Sequence, residues 1–141
     1  MVPHRFGGGW TEQKLDLLRK YLPAYNKVFE GNPKGRYFTR WYIDAFAGTG
    51  DRVASESDEQ HERLLDGSAR IALSTDPPFH KFLFIEKDQN RIAALNEVST
   101  QYNCIRDNVM IRCGDANDEL KNWCKSIDTK KNRAVVFIDP Y

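Results

Sequence analysis

The sequence predicts an α/β fold, a Rossmann-like sheet with all strands parallel in the spatial order 3-2-1-4 and a helical segment in front of it. Two observations predict it. After residue 40, short apolar runs at 41–46, 81–86, 108–112 and 133–139 alternate with helical patterns near 67–73, 88–102 and 117–126; strands alternating with helices imply a parallel sheet with right-handed crossovers. The runs Phe82-Leu83-Phe84-Ile85 and Ala134-Val135-Val136-Phe137-Ile138 are also apolar on both faces, as strands covered on both sides should be. The order follows from the crossovers and a switch point beside the first strand, which leaves the strand at 133–139 on an edge.

A chain of 141 residues is one domain's worth of material. It is expected to divide into an N-terminal amphipathic helical segment, 1–40, and a segment of alternating strands and helices, 41–141. Its 21 Lys+Arg against 20 Asp+Glu exclude a protein held on nucleic acid by bulk charge alone. No apolar run reaches the ~20 residues of a membrane helix, and residues 1–10 have no apolar signal core. The expectation is a cytoplasmic protein without a membrane partner. Cys104, Cys113 and Cys124 fit no common zinc spacing and read as small buried thiols. His4, His61 and His80 form no local cluster and read as surface or turn residues.

In the first segment, Thr11 is a candidate N-cap, and Leu15, Leu18, Leu22, Tyr25 and Phe29 form one helical stripe. Pro23 is expected to kink or divide that helix, and 31–35 reads as a turn or loop. Residues 1–41 hold eight Lys/Arg against three Asp/Glu, interleaved with aromatics from Trp10 to Tyr42. Such a segment either binds nucleic acid through phosphate contacts and stacking or is a helix with a solvated basic face. Residues 51–66 carry the opposite bias, two Lys/Arg against six Asp/Glu, and read as an insertion or mobile loop in the first crossover. In the following helix, Asp88 is placed to cap the start, and Ile92, Leu95 and Val98 share a face.

The acids carry the functional signal. Asp44, Glu86, Asp115 and Asp139 fall at or just beyond the ends of the four strands, although only 20 of 141 residues are acidic. Ligands of open parallel sheets bind outside the carboxyl ends of the strands, so these four would line one crevice. Each is also explicable alone as a helix cap or a turn acid. At the exit of the first strand, Asp44-Ala45-Phe46-Ala47-Gly48-Thr49-Gly50 has two glycines that permit close backbone approach to a ligand. A nicotinamide fingerprint would want a third glycine where Val53 stands, and there is no Gly-Lys-Ser/Thr of a nucleoside triphosphatase. An acid at the end of the second strand, Glu86, suits ribose hydroxyls.

Asp44-x-Phe46-x-Gly48-x-Gly50 resembles motif I of the S-adenosylmethionine-dependent methyltransferases, and Glu86 occupies the position of their ribose-binding acid. Gly114-Asp115-Ala116 is similar to the segment that meets the adenine. Asp139-Pro140-Tyr141 resembles the start of motif IV of the amino-group methyltransferases, with one proline where that signature has two. Phe6-Gly7-Gly8-Gly9-Trp10 with Lys14 looks like the N-terminal motif beneath the cofactor's methionine end. The ordered set FGGGWTEQK, YLPAY, YIDAFAGTG, DGSARIAL, FLFIEKD, GDAN and FIDPY resembles the three-Cys-motif partner protein family over almost the whole chain.

The resemblance implies S-adenosylmethionine as cofactor and methyl transfer to an amino group of a nucleic-acid base. It implies cofactor contacts at Lys14, Asp44, Phe46, Gly48, Gly50, Glu86, Asp115 and Ala116, and a substrate site at Asp139, Pro140 and Tyr141. It also implies a protein partner encoded nearby, and a sheet whose C-terminal half is absent, so that methyl transfer is expected of the full-length domain. The alternative is a non-catalytic cofactor- or partner-binding subunit of a mobile-element or defence system. A nicotinamide oxidoreductase is disfavoured by Val53 and the acidic insertion.

Overall fold

The computed structural model describes residues 6–46 and 56–139. Helix α1 (Phe6–Glu30) and a single turn α2 (Pro33–Arg36) precede strand β1 (Thr39–Phe46). Helix α3 (Glu56–Leu73), β2 (Lys81–Glu86), α4 (Gln89–Thr100), β3 (Val109–Cys113), α5 (Ala116–Ser126) and β4 (Asn132–Asp139) follow, with a 3-10 turn at Arg106–Asn108. The four strands form one parallel sheet in the order β3-β2-β1-β4, as the alternation predicted. Ile43 of β1 stands between Leu83 of β2 and Val136 of β4, and Phe46 is level with Asp139. Among the described residues β4 pairs with β1 alone, and Val136 and Ile138 remain exposed on it.

The sheet divides the core into two layers. On one face Tyr42, Phe46, Phe82 and Phe84 pack against Leu15, Leu18 and Leu22 of α1, Leu64, Leu65, Ala69 and Ala72 of α3, and Leu95 and Val98 of α4. On the other, Trp41, Ile43, Ala45, Leu83 and Ile85 pack against Ala116, Leu120 and Trp123 of α5. The stripe read at Leu15, Leu18 and Leu22 is therefore the inner face of α1.

Several local expectations are corrected. Thr11 lies inside α1 and does not cap it; its hydroxyl is buried and donates to Gln60 Oε1 of α3 at 3.0 Å. Pro23 does not divide α1, because burial of the leucine stripe on both sides of it outweighs the backbone hydrogen bond it removes. The segment 31–35 is a turn only over 31–32 and then enters α2, whose cap Asn32 accepts from Lys34 N–H at 2.9 Å with Pro33 at the first helical position.

The acidic stretch 51–66 is not an insertion loop over 56–66, which is the start of α3; residues 51–55 lie outside the described residues. His61, Leu64, Leu65, Ser68, Ala69 and Ala72 are buried at three- and four-residue steps, while Glu59, Glu62 and Asp66 are exposed. The acids are the solvated face of an amphipathic helix. The cysteines are exposed, not buried: Cys113 ends the edge strand β3, Cys104 lies in the loop before it, and Cys124 is on α5.

Candidate functional site at the carboxyl ends of the strands

Because all four strands run in one direction, their last residues share one end of the sheet. Asp44 is fully buried there, with its side chain turned towards α3. Its Oδ2 accepts from the Tyr42 hydroxyl at 2.8 Å and the Ser68 hydroxyl at 2.9 Å, while Oδ1 has no hydrogen-bond partner among the described residues. Burial raises the Asp44 carboxyl to about 7, against the two hydroxyl hydrogen bonds and with help from the charges of Asp139 and Glu86. Burial, and then the neighbouring Asp44, push the Tyr42 phenol well above its ordinary range.

Glu86 closes β2. Its Oε2 accepts the backbone N–H groups of Lys87 and Asp88 at 2.9 and 3.0 Å, and its Oε1 lies 3.3 Å from His61 Nε2. Asp139 closes β4, with Lys14 Nζ 3.0 Å from Oδ1 and His61 Nδ1 3.6 Å from Oδ2. Burial alone would raise both carboxyls. His61 with the backbone amides outweighs it at Glu86, and His61 with Lys14 at Asp139, so both are held below the usual carboxylate range. The His61 imidazole, only 3% exposed, therefore joins β2 to β4 across the end of β1, and it packs edge-on against Phe46 with ring centres 4.9 Å apart.

Phe46, Glu86 and Asp139 thus meet around one imidazole, with Lys14 joined to it through Asp139, while Asp44 is held beside them by Tyr42 and Ser68. Asp115 stands apart. It is part-exposed, caps α5 by accepting from Asp118 N–H at 3.1 Å, and has Lys87 Nζ 3.9 Å from its Oδ1. Ala116 is buried against the opposite face of the sheet. Gly48, Gly50, Pro140 and Tyr141 lie outside the described residues.

His61 corrects the expectation that the histidines are surface or turn residues. Its spacing of three, four and seven from Leu64, Leu65 and Ser68 puts it on the inner face of α3, a period that the surrounding acids mask. Ser68 and Tyr42 hold Asp44, a role that no local sequence pattern announces; Tyr42 is among the aromatics of the basic segment but points into the core.

The site offers carboxylate acceptors for hydroxyl or amino groups and one buried carboxyl poised to titrate near neutrality. Among the described residues no group of His, Cys, Asp and Glu side chains is arranged to hold a metal ion, and no helix is long and apolar enough to cross a membrane. Compared with protein-family models, curated proteins and solved structures, the chain matches none.

Proposed function

We propose that the protein is an S-adenosylmethionine-dependent methyltransferase-like protein acting on an amino group of a nucleic-acid base. The observation that supports this is the convergence of Asp44, Glu86 and Asp139 at the carboxyl ends of three adjacent parallel strands, beside the point where the strand order reverses. Bound there, the cofactor would supply an electrophilic methyl group. Glu86 would accept hydrogen bonds from its ribose hydroxyls, Asp115 from its adenine amino group, and Lys14 would meet its methionine end. Asp139, with the carbonyl of Pro140, would accept from the substrate amino group, and Tyr141 would stack on the base. Catalysis of this kind is positional and electrostatic. A single-stranded or flipped base suits it, because an amino group inside a duplex is inaccessible.

The donor set fits a ribose on one condition. Glu86 Oε2 is committed to backbone amides and Oε1 to His61, so a hydroxyl gains Oε1 when His61 withdraws. The same contact favours a second reading, a non-catalytic binding subunit that works with a protein encoded nearby, in which His61 keeps the acids permanently paired.

Calorimetric titration with S-adenosylmethionine, its demethylated product and NAD separates these readings. Micromolar binding of the first two and none of NAD supports the methyltransferase reading; silence from all three supports the second. Glu86→Ala is expected to lower cofactor affinity at least ~10-fold, since hydrogen bonds to a charged group are worth ~1.5–3 kcal/mol each. Asp139→Ala is expected to abolish transfer with a smaller loss of binding. Equal losses at the two positions would overturn the separate roles given to them.

A further inference from the structure

The opposite end of the sheet carries the opposite charge. Segments 27–40 and 128–133 contain Lys27, Lys34, Arg36, Arg40, Lys130, Lys131 and Arg133 against Glu30 and Asp128 alone. The fold joins the two segments. Thr39 N–H donates to Lys131 C=O at 2.8 Å, Thr39 is level with Asn132 and Arg40 with Arg133, and the Arg133 guanidinium lies over the Phe38 ring at 4.0 Å.

The acids are largely spent. Glu30 pairs with the buried Arg40 at 2.8 Å, and Asp128 caps its own loop by accepting from Lys130 N–H. Lys27, Lys34, Arg36, Lys130, Lys131 and Arg133 are all exposed to solvent.

The base of the platform is packed into the core. Asn26 and the Pro78 carbonyl hold Arg40 in the core, and Gly35 lies so close to the backbone of Phe29 that a Cβ there would stand 2.5 Å from its carbonyl oxygen. Between Arg36 and Phe38, the Tyr37 ring is 62% exposed, edge-on to Phe38 at 5.4 Å.

We propose that this platform, Lys34, Arg36 and Tyr37 with Lys130, Lys131 and Arg133, binds single-stranded nucleic acid. Clustered exposed cations suit a phosphate backbone, and an exposed ring among them gives an unpaired base something to stack on. Tyr37 favours this over an acidic peptide, which has no use for a stacking face. The surface is remote from the acidic crevice, and its assay needs no cofactor, so it stands or falls apart from the methyltransferase reading.

The test is fluorescence anisotropy of a labelled oligo(dT) with the intact protein, as a function of salt. Binding is expected to weaken linearly in log–log form with a slope of about −0.7 per phosphate contacted. Lys130→Glu with Lys131→Glu is expected to lower affinity at least ~10-fold and flatten that slope, whereas Tyr37→Ala lowers affinity about fivefold at unchanged slope. These side chains are exposed, and melting curves confirm that each variant is folded. No binding at low salt, indifference to the Lys130 and Lys131 reversals, or an unchanged affinity in Tyr37→Ala overturns the proposal. So does displacement of the oligonucleotide by polyglutamate at equal charge concentration, which would assign the surface to an acidic protein.

Discussion

The Lys14 ammonium lies 3.0 Å from the Asp139 carboxylate, so a residue of the first helix holds the last residue of the last strand. Asp139 is buried and Lys14 only partly exposed, so the pair is better shielded than a surface ion pair. Lys14→Met is expected to destabilise the fold by roughly 1–3 kcal/mol at neutral pH in urea denaturation. The Asp139 carboxyl lies below its ordinary range in the fold, so its contribution is present above the unfolded value and lost as pH falls through the folded one. The deficit of Lys14→Met should therefore shrink in strong acid. A deficit of the same size there would mean that the lysine acts by packing alone.

His61 makes the second prediction. If Glu86 receives a ribose, the imidazole competes for Oε1, and His61→Ala should tighten S-adenosylmethionine binding about 3–10-fold in calorimetry. The same change should lower stability by roughly 2 kcal/mol, since it empties a buried site against Phe46. Weaker binding in a variant that remains folded would show that His61 supports the ligand instead.

Asp44 reverses the usual pH behaviour of a carboxylate. Its folded value, about 7, lies above the unfolded one, so its contribution is full below the unfolded value near ~4 and is lost as pH rises through about 7. Asp44→Asn cannot ionise. Relative to the parent it should gain stability from mildly acid to mildly alkaline pH, on the order of 2–4 kcal/mol across the window. Thermal melts at several pH values measure the difference directly, and a constant difference would show that the carboxyl is ionised throughout.

Two glycines predict opposite outcomes. A Cβ at Gly9 of α1 meets nothing within 4 Å, so Gly9→Ala should raise stability by ~0.5–1 kcal/mol through helix propensity. At Gly35 a Cβ would lie 2.5 Å from the Phe29 carbonyl oxygen and 2.8 Å from its Cα, atoms of backbone that cannot step aside. Gly35→Ala should lower stability by ~1–3 kcal/mol, and the two melting temperatures should move apart.

Strand order was legible in the sequence because it follows from alternation and handedness, and the strand at Phe82–Ile85 was legible because burial on both faces leaves no polar position; the run 134–138 is equally apolar, but it is not covered on both faces, since Val136 and Ile138 are exposed. The convergence of Asp44, Glu86 and Asp139 was legible for the same reason: parallel strands bring their ends together. Asp115 shows the limit of that argument, since a strand-end acid serves equally well as a helix cap. His61 was obscured by Glu59, Glu62 and Asp66, whose charge concealed the apolar period of α3. The partly buried Lys14–Asp139 contact, 125 residues apart in sequence, has no local signature.

The one-sided pairing of β4 has a consequence in time as well as in space. In a parallel strand the N–H and C=O of one residue point to the same neighbour and those of the next residue point away. Among the described residues only one flank of β4 is paired, so alternate amides along Asn132–Asp139 face no partner strand. Deuterium uptake along β4 should therefore beat with a period of two residues, fast then slow. In β1, hydrogen-bonded on both flanks, neighbouring amides should exchange together and last.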